Sequence, residues 1–186
     1  EDAERLLTDL RERFAKFGLQ LNPDKTRLIE FGRFAARDRT ARGEGKPQTF
    51  NFLGFTHLCA KTRNAKFCVL RQTMRKRMTA KLHEVKTEVH RRRHDSIPEQ
   101  GAWLGSVVRG YFAYHAVPRN QPALQTFRYQ VGRHWWQALR RRSQKDRTPA
   151  DRMRRLVQRY LPPVRISHPY PQDRFAVRTR GGSRMR

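Results

Sequence analysis

The chain has 186 residues, 37% of them hydrophobic, enough for one ordinary domain or two small ones around a modest core. Lys and Arg number 42 against 16 Asp and Glu, a formal charge of +26 that exceeds what solubility requires and makes a polyanion the natural partner. Anionic membrane is the competing polyanion, but apolar runs extend only a few residues and the basic helices carry buried-type aromatics, so the composition favours nucleic acid and no membrane.

In chain order, Glu1 to Arg11 is charged and lacks the apolar stretch of a signal peptide, which points to a cytoplasmic protein. Leu6, Leu7, Leu10, Phe14 and Phe17 recur at helical spacing from about Asp2, and Gly18 follows as a helix-stopping residue. Leu19 and Leu21, then Leu28, Ile29 and Phe31, flank Asn22-Pro23-Asp24, predicting a hairpin of two short strands with Lys25 just past its turn. From Arg33 to Gln48 periodicity is lost and Gly43, Gly45 and Pro47 mark an exposed loop.

Phe50, Phe52, Leu53 and Phe55 form the next strand, with Phe52 and Phe55 read as core, and Lys66 to Leu70 returns after an Arg63-Asn64 turn as a second hairpin. Gly54 suits either a bulge or a close approach of nucleic acid to the backbone. Cys59 and Cys68 lack a CxxC partner and read as buried free thiols. His57, near Cys59, has no paired ligands to complete a metal set.

A helical part follows. Met74, Met78, Leu82, Val85 and Val89 make a narrow apolar stripe, with Arg75, Lys76, Arg77, Lys81, Lys86 and Arg91 to Arg93 on the other faces. After a break at Ser96-Ile97-Pro98, Trp103, Leu104, Val107, Val108, Tyr111 and Phe112 run helically towards Pro118. Leu124, Phe127, Val131, Trp135 and Leu139 then predict a third helix from near Pro122. Adjacent Trp135 and Trp136 cannot share one face, so Trp135 joins the stripe and Trp136 the rim. Thr148 as N-cap and Pro149 at the first helical position open a short helix through Met153, Leu156, Val157 and Tyr160, which Pro162-Pro163 ends. An HPYP segment and a Gly/Arg-rich tail beyond it are expected to be disordered unless a partner orders them. The run Arg140 to Arg142 would suit a solvated helix end, yet with Arg128, Arg133 and the first basic helix it forms a cationic set expected to contact RNA.

Two stretches carry a resemblance. LQLNPDKT (Leu19 to Thr26) and FNFLGF (Phe50 to Phe55), in that order across a variable loop, resemble the sixth and seventh sequence blocks of the reverse transcriptases encoded by bacterial group II introns. WLGSVVRGYFAYHAVPRN, HWWQALRRRSQ and HPYP resemble the thumb and maturase-specific region of the same family. The resemblance implies an α+β chain: residues 1–70 as the end of the palm, a helix and two hairpins with a primer-grip-like element; 71–161 as the helical thumb and maturase domain; 162–186 as a basic extended tail.

It also implies the partners and the chemistry. These are group II intron RNA, whose splicing such proteins support, a primer-template duplex, and a separately encoded fingers-palm fragment if the enzyme is split. Polymerisation by this family needs two Mg2+ ions held by aspartates of earlier palm blocks, including a Tyr-x-Asp-Asp hairpin. The sequence has no Asp-Asp pair, and Asp24 and Glu30 do not stand in for one, so no autonomous polymerisation and no cofactor are expected of these residues. In an intact parent Lys25 would lie beside the nucleotide site and neutralise or protonate pyrophosphate. The alternative is an ordinary solvated lysine at a turn. The nucleic-acid-binding expectations are Gly54, Arg75, Lys76, Lys81, Arg91, Arg128, Arg133, Arg140, Arg141 and Arg142. Without the paired Cys and His of an HNH nuclease, no DNA cleavage is expected. A generic basic nucleic-acid-binding protein is the remaining alternative; it fits the charge but not the ordered blocks.

Overall fold

The computed structural model describes residues 2–142 and 148–170, which form a mixed α+β structure of six helices and a three-stranded sheet of order β1-β2-β3. These residues divide into two compact units, one of residues 2–50 and 58–69, the other of residues 51–57 and from 70 onward.

In the first unit, α1 (Asp2–Ala15) places Asp2 and Glu4 at its positive end and stops where the sequence indicates. Gly18 adopts φ +69°, its N–H bonds Ala15 O at 3.0 Å and the Leu19 N–H bonds Phe14 O at 3.0 Å, the paired bonds of a Schellman cap. No α1 residue is buried, and the apolar Leu6 and Phe17 are 67% and 72% exposed.

The hairpin expected over residues 19–31 does not form, for none of these residues lies in a strand. Asn22 supplies the reason. Its side-chain Oδ1 accepts the Lys25 N–H at 3.1 Å and its carbonyl accepts the Thr26 N–H at 2.9 Å, closing a local turn in place of a ladder. The expected loop contains α2 (Ala35–Ala41), too short to show periodicity and ended by a second Schellman pair at Gly43. Arg42 binds Glu30 at 2.5 Å and Glu44 at 2.9 Å, and Arg39 binds Glu44 at 3.0 Å, tying α2 to the preceding segment.

The sheet consists of β1 (Phe50–Phe52), β2 (Phe55–Lys61) and β3 (Phe67–Thr73). The stretch TFNFLGFTHL, expected as one strand, is broken because Leu53 and Gly54 both take positive φ, +46° and +78°, as the two central residues of a primed hairpin turn do. Phe55 is core, but Phe52 is 58% exposed, which corrects the expectation that both are packing residues. The turn from β2 to β3 is closed by Thr62, whose N–H bonds Lys66 O at 2.7 Å and whose hydroxyl accepts the Lys66 N–H at 3.1 Å.

The second unit holds α3 (Arg75–Arg91), α4 (Ile97–His115), α5 (Gln121–Arg140) and α6 (Ala150–Tyr160), as the apolar spacing predicts. Ser96 and Glu99 form a reciprocal capping box at the start of α4. At α6 the capping position is Pro149, one residue later than expected. The core joins Val85 and Val89 of α3, Leu104 and Val108 of α4, and Leu124, Phe127, Val131 and Trp135 of α5. Tyr111 stacks on Phe127 with ring centroids 3.6 Å apart.

Buried polar side chains set the helix register. Asn120 accepts the Thr73 N–H at 3.1 Å and donates to Thr73 Oγ1 at 2.7 Å and His115 O at 2.8 Å, joining the entry of α3 to the entry of α5. Gln100, fully buried, accepts the Trp135 indole N–H at 2.7 Å and donates to Arg92 O. Helix α6 lies against glycines: a Cβ on Gly101 would stand 2.4 Å from the Tyr160 ring, one on Gly105 2.7 Å from Tyr160 O, and one on Gly132 3.1 Å from Val157 Cγ2. Among the described residues no helix is long and apolar enough to cross a membrane.

Candidate nucleic-acid interface

The cations expected to bind nucleic acid separate into those the fold uses and those it leaves facing solvent. Arg128 is half-buried and donates to the carbonyls of Pro162 at 2.9 Å, Val157 at 3.2 Å and Leu161 at 3.2 Å. Its guanidinium thus gathers the carbonyl of Val157 in α6 and those of Leu161 and Pro162 just beyond the helix, and burial lowers its pKa from the ordinary arginine value. Arg142 donates to the carbonyls of Arg93 and Asp95, fastening the end of α5 to the turn after α3. Both arginines are thus engaged by backbone carbonyls of the fold.

Lys81 pairs with Glu84 at 2.8 Å and Arg91 with Glu88 at 2.6 Å, so each carries a carboxylate that shares its charge. Glu88 also binds Arg92 at 2.5 Å, and the hydrogen bonds from Arg91 and Arg92 hold its pKa down at about 2. Arg75 and Lys76 in the first turn of α3 are exposed, as are Arg133 and Arg141. Arg140 is exposed too, with its guanidinium 5.8 Å from the ring centre of Trp136. Trp136 is half-buried and donates to Thr148 O at 2.9 Å, while Trp135 is fully buried, the division their adjacency predicts.

Gly54 is occupied by its turn. Its carbonyl accepts the Met74 N–H at 3.0 Å, and a Cβ placed there would meet Tyr114 at 3.7 Å and His115 at 3.9 Å. Tyr114 stacks on Phe55 at 5.6 Å and donates to Leu53 O at 2.6 Å, so aromatic side chains of α4 cover this hairpin turn. Lys25 stands exposed on the Asn22 turn in the first unit, where Glu30 is engaged by Arg42. Among the described residues no group of three His, Cys, Asp or Glu is placed to hold a metal. Cys59 and Cys68 form no disulfide with each other and are half-buried rather than buried.

A groove of about 590 Å³ lies along α5 and α6, floored by Gly132, Met153 and Val157 and rimmed by Tyr129, Arg133 and Arg154. Sequence reading missed the histidines of this unit. His90 on α3 and His134 on α5 are half-buried, and burial is the first cause lowering the pKa of each, followed for His90 by the cations Arg141, Lys86 and Arg93. The signal that could have found His90 is its spacing of four from Lys86 on one face of α3. The tail residues 171–186, Pro171 of HPYP and Ser143 and Gln144 of the basic run lie outside the described residues.

No protein-family model, no curated protein and no solved structure matches this chain.

Proposed function

We propose that these residues are the RNA-binding end of a group II intron reverse transcriptase and maturase: the last part of a palm, followed by a thumb and maturase module that grips structured intron RNA. The observation that carries RNA binding is the set of cations on the helical unit, Arg75, Lys76, Arg133, Arg140 and Arg141, that face solvent with no ion pair among the described residues. Even if every carboxylate neutralised one cation, a charge of +26 would remain. Lysines and arginines that replace condensed counterions on phosphates bind RNA by charge and shape, without a base code. The ordered sequence blocks narrow this to the intron-encoded family, where the same surface would hold intron RNA during splicing and a primer-template duplex during DNA synthesis.

The test is a salt titration of binding to a structured intron RNA. Changing Arg140 and Arg141 to Gln is expected to flatten the log-log salt slope by up to about 0.9 per lost contact, on the duplex value, with the circular dichroism unchanged. Arg142→Gln belongs in a separate variant because it removes two bonds to backbone carbonyls and lowers stability as well. Equal slope and affinity in a folded Arg140/Arg141 variant would refute the role of this pair. In the second reading, half of a split polymerase, a separately encoded fingers-palm piece covers apolar side chains such as Leu6, Phe17 and Leu19, which are exposed in the first unit. Its test is nucleotide incorporation on a primed RNA when that piece and Mg2+ are added in trans.

A further inference from the structure

The groove along α5 and α6 is built on three sides, all within the second unit. Gln125, Tyr129 and Arg133 follow one another at spacings of four on one face of α5, beside the buried stripe of Leu124, Phe127, Val131 and Trp135. Met153, Arg154 and Val157 of α6 make the second side. The third is Val164, in the segment after α6 that Arg128 ties back to α5 through the carbonyls of Leu161 and Pro162. At about 590 Å³ the space falls within the roughly 300–1,000 Å³ of sites that enclose a small molecule.

The α5 side sets three chemistries in a row, about 6 Å apart along the helix axis. The exposed Gln125 amide offers two N–H donors and an acceptor oxygen. Tyr129 is 64% exposed, which leaves its ring open to a stacking partner. Arg133 is exposed and has no ion pair among the described residues. Trp136 closes this end, its ring held by the indole N–H bond to Thr148 O at 2.9 Å. Across the groove Arg154 pairs with Asp151 at 3.2 Å, but both side chains are largely in solvent, where such a pair is weak and readily exchanged. No Asp or Glu lines the groove among the described residues.

This order discriminates among occupants. A purely apolar ligand would leave the amide and the guanidiniums unused, and a free phosphate would leave the rings unused. A second copy docked groove to groove would set Arg133 and Arg154 against the same arginines, between chains that each carry +26. A paired base keeps its faces inside the helical stack, whereas a base released into a loop or bulge exposes both faces and its hydrogen-bonding edge. Amide, ring and guanidinium then match the edge, the face and the phosphate of one nucleotide.

We propose that this groove takes one unpaired nucleobase of the RNA, stacked on the Tyr129 ring, with its edge on Gln125 and its flanking phosphates on Arg133 and Arg154. The assignment rests on the RNA-binding reading and adds to it a preference for RNA with a bulged or looped-out base over a plain duplex. Cations elsewhere on the unit hold any backbone by charge; the groove responds to the place where a base leaves the helix.

The probe is a short RNA duplex carrying one bulged 2-aminopurine, compared with the same duplex fully paired, at fixed pH and salt. Wild-type protein is expected to bind the bulged duplex more tightly and to quench its 2-aminopurine emission, which falls when that base stacks. Tyr129→Ala should weaken binding of the bulged duplex by about 5-fold to about 150-fold, the worth of one base on an aromatic ring, and leave the emission unquenched. Its binding of the paired duplex should be unchanged. Tyr129→Phe keeps the ring and should behave as wild type. The exposure of this side chain lets both variants fold, which circular dichroism checks. Equal wild-type affinity for the two duplexes with unchanged emission overturns the base site while leaving RNA binding intact. So does a preference and a quench that survive in folded Tyr129→Ala. Quenching of free 2-aminopurine nucleoside monophosphate without quenching of the bulged duplex would make this a free-nucleotide site and overturn the assignment. A dimer in sedimentation that Tyr129→Ala dissociates, with no preference for the bulge, would give the groove to a second copy and overturn it as well. Failure to bind either duplex at any salt concentration refutes the underlying reading too.

Discussion

Two glycines of α4 differ by five residues in sequence and are expected to respond to the same substitution with opposite sign. Gly105 is buried under α6, where an added methyl would stand 2.7 Å from Tyr160 O, inside the ordinary van der Waals range that begins near 3.4 Å. A carbonyl cannot rotate out of the way as a side-chain tip can. The end of α6 must move, and that end is held by Arg128 through the carbonyls of Val157, Leu161 and Pro162. Overpacking of this kind costs about 1–3 kcal/mol, and the better helix propensity of Ala returns about 1 kcal/mol. With strain on the Arg128 bonds added, Gly105→Ala should destabilise by about 1–2 kcal/mol. Gly110 is exposed with nothing within 4 Å of its added methyl, so Gly110→Ala should stabilise by up to about 1 kcal/mol. Urea denaturation followed by far-ultraviolet circular dichroism reads both, and with a slope of about 1–3 kcal/mol per molar the midpoints should separate by about 1 M. A Gly105→Ala protein as stable as Gly110→Ala would refute the close approach of α6 to α4.

Gln100→Leu should lower stability by about 2–4 kcal/mol, read as a fall in urea midpoint, because it leaves the buried Trp135 indole N–H and the Arg92 carbonyl without their partner. A change under about 0.5 kcal/mol would mean that water or a rearrangement satisfies both groups. Without RNA, stability should fall as pH drops below the ordinary histidine value of 6.5. His90, His115 and His134 have pKa values lowered chiefly by burial, so the unfolded chain binds protons there first. Glu88 acts in a separate window. Its pKa of about 2 keeps its contribution until pH falls below the ordinary 4.5, after which that contribution is lost progressively towards 2. Denaturant midpoints at a series of pH values test both windows, and a profile flat between about pH 7 and about pH 5 would contradict the histidine burial.

The helices from Arg75 onward were legible in the sequence because each buries one apolar stripe, and a period of 3.6 survives in the residue order whatever the stripe packs against. Gly18 as a cap and the split of Trp135 from Trp136 were legible for the same reason, since both depend on local backbone geometry alone. Strands were less legible. The apolar residues on either side of Asn22 alternate no worse than those of β3, but a strand exists only if a second one pairs with it, and none does. The seven residues of α2 were too few to carry a period, and their identity as a helix comes from Gly43 and the Arg39, Arg42, Glu30 and Glu44 pairs. The total charge identified a polyanion as the partner, yet one arginine looks like another along the chain. Tertiary structure alone sends Arg128 and Arg142 to backbone carbonyls and leaves Arg140 and Arg141 to solvent, because only the packing of the helices decides which guanidinium meets a carbonyl.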